Sequence, residues 1–176
     1  MRYGQDRAWA EVSLDHLAKN FQKIASLVGP DCKVLCVIKG NAYGHGAVEV
    51  SRELERCGCE VLGAATIEEA MELREKGIRL PIVLFGPINP IHTALAIQQD
   101  LTVPLISLEQ AKELSKAVEA VGKPLHAHLK IDTGMCRYGL AVHKDLEQCV
   151  AEALQIVKLP GLHITGVFTH FAAAGD

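Results

Sequence analysis

Short apolar segments alternate with helical patterns along most of this chain of 176 residues. Ser13, Thr66 and Ser107 stand where helix N-caps are expected, and Glu69 occupies the capping-box position behind Thr66. Strands and helices that alternate at this spacing predict βαβ units and a parallel sheet. The apolar segments of strand length lie at 34–38, 61–64, 82–85, 101–103, 125–131 and 162–168.

Two α/β architectures satisfy this alternation, a doubly wound sheet and a TIM (β/α)8-type barrel. A dinucleotide-binding doubly wound sheet carries G-x-G-x-x-G after its first strand, and the glycine-rich turn at 40–46 does not follow that pattern. Residues able to do chemistry stand at the C-terminal ends of several strands, which is where a barrel builds its site. We therefore predict a TIM-type barrel.

The predicted barrel is incomplete, because six strands are found where a complete barrel has eight. We expect two open sheet edges in such a chain. Residues 1–13 are predicted to form an N-terminal strand segment, since Trp9 to Ser13 alternates between apolar and polar. Residues 14–176 are predicted to form the partial barrel.

Composition and charge exclude several classes of function. The net charge of −3 and the lack of a Lys/Arg-rich run argue against nucleic acid or an anionic membrane as a partner. No apolar stretch is long enough to span a bilayer, and the polar N-terminus lacks a signal-peptide core, so we predict a cytoplasmic protein. The six cysteines are scattered through a chain that can build its own core, which predicts free thiols instead of disulfides. No metal is expected.

The apolar run Val34–Ile38 predicts a buried strand, and Lys39 follows directly at its C-terminal end. This lysine has two interpretations: a side chain that reaches solvent past the sheet edge, or a desolvated amine able to form a Schiff base. The following turn carries Tyr43 and three glycines, at 40, 44 and 46. Such a turn lets a bound anionic group approach the backbone closely.

A second informative stretch spans 126–139. Strand periodicity places His126, His128, Lys130 and Asp132 on one face. One interpretation is a polar barrel interior whose charges satisfy one another. A metal at the two histidines is the other, although no third ligand is near and Lys130 on the same face disfavours it. A last strand ends at His170, which fits either a structural or a functional histidine.

Three stretches resemble the motifs of alanine racemases, which are fold-type III enzymes dependent on pyridoxal 5'-phosphate. The resemblance extends from Trp9 to the final residue, and the motifs follow the order of the family. Two positions depart from the family pattern, Gly40 in place of alanine and Cys136 in place of glycine or asparagine. The matching stretches read V-I-K-G-N-A-Y-G-H-G at 37–46, H-L-K-I-D-T-G-M-C-R at 128–137 and T-H-F-A at 169–172.

The resemblance implies a role for each motif residue. Lys39 would carry the cofactor as an internal aldimine and act as a catalytic base. Tyr43 would hydrogen-bond the cofactor phosphate, and Arg137 would contact the phenolic oxygen of the cofactor and the substrate carboxylate. His170 would pack against the pyridine ring. Lys130 matches a lysine that is often carbamylated in the family, where it holds the arginine in place.

The resemblance further implies interconversion of L- and D-alanine by a homodimer. The second acid/base of that reaction is a tyrosine of a C-terminal β domain, which these 176 residues do not contain. We therefore expect an N-terminal fragment that is inactive alone. The alternative is a single-domain pyridoxal-phosphate homeostasis protein, which shares the barrel, lacks the β domain and has no racemase activity.

Overall fold

The computed structural model of the chain describes residues 9–175. The helices in this range are α1 (Leu14–Val28), α2 (Lys39–Tyr43), α3 (Ala47–Arg56), α4 (Ile67–Glu75), α5 (Thr93–Gln98), α6 (Leu108–Val121) and α7 (Leu146–Ile156), with a 3-10 turn at Pro90–His92. The strands are β1 (Leu35–Val37), β2 (Val61–Ala64), β3 (Ile82–Leu84), β4 (Leu101–Leu105), β5 (Leu125–Asp132), β6 (Leu140–Ala141) and β7 (Leu162–Thr169).

All strand pairs within the described residues are parallel, which confirms the predicted βαβ architecture. The sheet runs β1-β2-β3-β4-β5, and β7 lies beside β5 over most of its length. The two-residue strand β6, which the sequence pattern did not predict, pairs only with the C-terminal end of β5. The six predicted strands therefore form one continuous sheet in chain order.

The core lies between the middle strands and the helices that cover them. All three residues of β3 and four of the five residues of β4 are buried, as expected for strands covered on both faces. Each predicted N-cap is found, because the side chains of Ser13, Thr66 and Ser107 accept hydrogen bonds from the amide three residues ahead. All six cysteines are free thiols, and Cys32 and Cys136 are exposed.

The N-terminal segment differs from the prediction. Residues 9–13 form no strand and are exposed, while residues 1–8 lie outside the described range. A strand exists only where a neighbouring strand completes its hydrogen bonds, and within 9–175 no strand pairs with this segment. Alternation between Trp9 and Ser13 was therefore not sufficient to define a strand.

Both ends of the sheet are open within residues 9–175, since β1 pairs only with β2 and β7 only with β5. On β7 alternate residues are exposed, with Val167 at 64%. Apolar side chains on the neighbouring helix α7 are exposed as well, among them Val150 and Leu154. The predicted open edges are thus present. No helix in the described range has the length and apolar character needed to cross a membrane.

Candidate active site

A cavity of about 380 Å³ opens at the C-terminal ends of the strands. It is lined by all five residues singled out in the sequence, Lys39, Tyr43, Lys130, Arg137 and His170. These residues come from opposite ends of the sheet and are separated by up to 131 positions in the chain. The remaining lining residues are Val37, Ala65, Phe85, Gly86, Tyr138, Phe168 and Thr169.

The turn after Lys39 is left-handed. The φ angles at positions 40 to 43 are 60°, 55°, 52° and 55°, and only the first of these residues is glycine. A left-handed conformation costs about 1–2 kcal/mol for each residue other than glycine. Hydrogen bonds offset this cost: the amide of Ala42 donates to the carbonyl of Ile38 at 2.7 Å, and the amide of Ala47 donates to Asn41 Oδ1 at 2.7 Å. Non-glycine residues held in this region are concentrated at functional sites.

Glu69 fixes this turn from a neighbouring helix. Its Oε1 accepts a hydrogen bond from the amide of Gly40 at 2.7 Å, and its Oε2 accepts one from the amide of Ala65 at 2.7 Å. In the predicted capping box this carboxylate would have accepted from the amide of Thr66 itself. The structure instead uses Glu69 to join α4 and the end of β2 to the residue that follows Lys39.

Lys39 and Tyr43 bracket the left-handed turn and both face the cavity. The Nζ of Lys39 lies 5.9 Å from the centre of the Tyr43 ring. Lys39 is half-buried and Tyr43 is exposed. The amine is therefore accessible to a molecule in the cavity.

Lys130 enters the same cavity from β5, and its residue is only 4% exposed. Its Nζ lies 4.6 Å from the centre of the Phe168 ring, which is a cation–π distance. Burial, with a further contribution from the Arg137 charge, lowers the pKa of the Lys130 amine, while Asp132 acts in the opposite direction. A buried amine beside a guanidinium is driven towards its neutral form.

His126, His128 and Lys130 lie on one face of β5, as predicted, but only Lys130 lines the cavity. The ring of His126 packs 5.0 Å from that of His163, and its Nε2 lies 3.8 Å from Asp100. The ring of His128 packs against Phe168 at 6.3 Å, and burial lowers the pKa of His128. These contacts correspond to the polar-interior interpretation of this face.

Asp132, at the end of β5, organises the loop that follows the strand. Its Oδ1 accepts hydrogen bonds from the amides of Gly134 and Cys136, each at 3.0 Å. The hydrogen bond from Gly134, and after it the one from Cys136, holds the pKa of the Asp132 carboxyl below its ordinary value. The loop places Arg137 and Tyr138 on the cavity.

The end of β7 supplies the last side of the cavity. His170 follows this strand and is exposed. The hydroxyl groups of Thr133 and Thr169 lie 2.9 Å apart and connect the β5 loop to β7. Sequence reasoning did not single out Phe85, Phe168 or Tyr138, although an aromatic residue at the C-terminal end of a barrel strand is a signal that could have identified the first two.

The chain matches the family "Alanine racemase, N-terminal domain" over residues 12–176. It is 42% identical over 166 residues to alanine racemase 1 of Caldanaerobacter subterraneus subsp. tengcongensis, covering 94% of this chain and 42% of that protein. The alanine racemase of Geobacillus stearothermophilus is 38% identical over 168 residues, with 96% of this chain and 42% of that protein covered. The chain thus spans less than half the length of these curated relatives.

Solved structures agree with the sequence comparison. An alanine racemase of Clostridium difficile 630 superposes with a TM-score of 0.86 at 37% identity, covering 93% of this chain and 42% of that one. A histidine racemase from Leuconostoc mesenteroides subsp. sake superposes with a TM-score of 0.80 at 26% identity, covering 90% of this chain and 42% of that one. The partial barrel is therefore the N-terminal part of a known barrel fold. The chain belongs to the alanine racemase family.

Proposed function

We propose that this chain forms the cofactor-binding part of a pyridoxal-phosphate-dependent racemase that interconverts L- and D-alanine. The observation that carries the proposal is the convergence of Lys39, Tyr43, Lys130, Arg137 and His170 on one cavity. The complete protein would act as a cytoplasmic homodimer on a small molecule, without nucleic acid or membrane as a partner. Alanine is chosen because the alanine racemases are more similar to this chain than the histidine racemase is.

The residues of the cavity fit pyridoxal phosphate. Its volume lies within the range of small-molecule sites, and an anionic aromatic aldehyde needs an amine, hydrogen-bond donors and apolar ring contacts. Lys39 supplies the amine for the aldehyde. Tyr43 and Arg137 supply donors for the phosphate and the phenolic oxygen, and Phe85 is an apolar wall.

Each residue then has a defined task. When bound, pyridoxal phosphate delocalises the electron pair left on the substrate Cα after its proton is removed. Lys39 would hold the cofactor through its Nζ, and the same Nζ, when free, would take or return the Cα proton on one face. Arg137 would orient the substrate carboxylate, and His170 would pack on the cofactor ring.

Lys130 would support Arg137 as a carbamate. A neutral lysine amine attacks CO2 to form an N-carboxylate and releases one proton. Counted from the ammonium form, which must first give up a proton of its own, two protons leave and a cation becomes an anion. The lowered pKa of Lys130 increases the fraction of neutral amine, and the product would face Arg137 with the opposite charge. We expect a carbamate carbon signal in the NMR spectrum of the protein in 13C-bicarbonate. The signal should vanish in Lys130→Ala and persist in Lys39→Ala; its loss only in Lys39→Ala would contradict this assignment.

Racemisation requires a second acid/base on the opposite face of the substrate. In the family that group is a tyrosine of the C-terminal β domain, beyond the part that this chain matches. We therefore expect negligible racemase activity from the 176 residues alone. Measurable interconversion of alanine enantiomers by the purified chain, abolished in Lys39→Ala, would contradict this expectation.

Borohydride reduction tests the central assignment. The purified chain is incubated with pyridoxal phosphate, reduced and mapped by peptide mass spectrometry, because reduction makes a reversible lysine adduct permanent. We expect one adduct, on Lys39, and none at that peptide in Lys39→Ala. Labelling of Lys130 in its place, or scattered labelling of surface lysines, would overturn the proposed role. A Lys39 adduct in a longer protein that does not racemise alanine would favour the homeostasis alternative.

A further inference from the structure

We propose that Asp132, Cys136 and His143 form a binding site for a divalent metal ion of the zinc class, adjacent to the cofactor cavity. One ligand atom from each residue lies within 4.8 Å of the others. Of the three, none lines the cavity that holds Lys39. The site includes Cys136, one of the two residues at which the sequence departs from the family pattern.

The distance between the cysteine and histidine ligand atoms suits a tetrahedral ion. Zinc binds thiolate at about 2.3 Å and imidazole nitrogen at about 2.0–2.1 Å, so tetrahedral geometry separates the two ligand atoms by about 3.6 Å. The Cys136 Sγ and the His143 Nε2 lie 3.7 Å apart. An ion can therefore enter between them without a change in their spacing.

His143 is oriented as a metal-ligating histidine would be. Its Nδ1 lies 3.2 Å from the backbone oxygen of Asp132. A carbonyl oxygen only accepts, so Nδ1 carries the hydrogen and Nε2 of the neutral ring presents its lone pair to Cys136. Donation from the second ring nitrogen to a carbonyl is the arrangement that fixes the tautomer and ring direction of histidine ligands.

The third ligand is also held in place before any ion arrives. Asp132 is 7% exposed, and its Oδ1 is fixed by the amide of Cys136, which brings the carboxylate and the thiol together. The Cys136 backbone is left-handed, with φ of 56°. The second carboxylate oxygen keeps lone pairs for a cation, and three protein ligands leave a fourth position for water.

A hydrogen bond between thiol and imidazole would give a similar Sγ–Nε2 distance, and Asp132 Oδ1 also holds the loop amides. An ion would in addition bring the remaining carboxylate oxygen, the thiolate and the imidazole to one centre. A thiolate beside a carboxylate is unfavourable without a cation, whereas a divalent ion neutralises both. Binding would proceed as Cys–SH plus M²⁺ giving Cys–S⁻·M²⁺ plus H⁺, so affinity should rise with pH. Sulfur, nitrogen and oxygen ligands in tetrahedral arrangement favour zinc over magnesium or calcium.

The position of the site gives it a structural effect. Asp132 ends β5 and His143 follows β6, so an ion would join both ends of the segment that carries Arg137 and Tyr138. Arg137 is the direct neighbour of the ligand Cys136. Metal binding should therefore order this loop.

Titration of the reduced chain with Co²⁺, without cofactor, tests the site, because a cobalt–thiolate bond gives a charge-transfer absorption that oxygen and nitrogen ligands do not. We expect one equivalent to bind with this absorption, and Zn²⁺ to displace it. Cys136→Ser should abolish the absorption, and His143→Gln should weaken binding at least about tenfold. The control Cys32→Ser, at another exposed cysteine, should leave both unchanged.

Thermal unfolding provides a second measurement that does not depend on spectra. Zn²⁺ should raise the melting temperature of the parent chain and of Cys32→Ser, but not that of Cys136→Ser, since an ion that binds only the folded state stabilises it. The proposal is overturned if no thiolate absorption develops, or if the absorption and the stabilisation survive in Cys136→Ser. These readouts are independent of Lys39 and of pyridoxal phosphate.

Discussion

Two lysines in one cavity differ in almost every physical respect. Lys39 stands at the end of β1, is half-buried and begins a turn fixed by Glu69. Lys130 lies within β5 between two neighbouring strands, is 4% exposed and has its amine over the Phe168 ring. Burial and the Arg137 charge lower the pKa of Lys130. By the criterion of a perturbed pKa alone, Lys130 would be the nucleophile.

Under the proposed function, a perturbed pKa would locate the site without assigning the roles within it. A lysine that exchanges a covalent partner for each substrate must reach the cavity and withdraw again. Lys39 has that freedom at a strand end, whereas Lys130 is held by strands on both sides and by an aromatic ring. Lys130 is better suited to a fixed supporting charge, and Lys39 to the reaction itself.

The most decisive test of this division of roles is to remove each amine in turn. The test uses a longer protein in which this chain is followed by the C-terminal part that its relatives have. Lys39→Ala should lower kcat/KM for alanine by more than about ten-thousand-fold, because it removes both covalent attachment and a catalytic base. Lys130→Ala should cost much less, since it alters only the support of Arg137. Equal losses, with unchanged circular dichroism spectra in both variants, would contradict the division of roles.

The sequence was sufficient where local rules determine the structure. Caps such as Ser13 and Thr66 lie where the pattern indicated, because their hydrogen bonds involve only neighbouring residues. The motif residues also met in one cavity, since parallel strands bring their C-terminal ends together.

Prediction from the sequence failed where the conformation of a segment depends on residues outside that segment. The left-handed turn at 40–43 depends on Glu69, which is 29 positions away from Gly40 and was assigned to a local cap. Trp9 to Ser13 alternates like a strand but has no strand partner within residues 9–175. Asp132 shares the strand period of Lys130, yet the amides of its own loop capture its carboxylate.

The two sides of the cavity should also differ in their tolerance of added volume. A Cβ at Gly63 would lie 2.4 Å from Phe85 Cζ and 2.7 Å from Leu35 Cδ2, on the side of Lys39. Gly63→Ala should therefore lower the free energy of unfolding by about 1–3 kcal/mol, measured by urea denaturation. Gly166→Ala, on the side of Lys130, should cost less, because its Cβ meets only the edge of the half-buried His128 ring at 2.9 Å.

Gly175→Ala is the matched control for both variants, since its Cβ would have no neighbour within 4 Å. The control should leave the unfolding free energy unchanged. A greater loss in Gly166→Ala than in Gly63→Ala would show that the Lys130 side is the more tightly packed one, and would reverse the expected order of the two variants.

The smallest effect concerns the charge on Lys130 and depends on pH. The pKa of Lys130 is lower in the folded chain than its ordinary value of 10.5, so over the interval between the two values the unfolded chain binds more protons than the folded one. Stability contributed by this residue must then rise with pH across that interval. Lys130→Met removes the buried charge, so it should stabilise the chain near neutral pH and lose this advantage as the pH approaches 10.5. Urea unfolding of the parent chain and of Lys130→Met in CO2-free buffer measures the difference in their unfolding free energies at each pH.

The control is Lys116→Met, at an exposed lysine, for which this difference should not change with pH. A difference for Lys130→Met that stays constant or widens as the pH rises would mean that Lys130 is not held towards its neutral form.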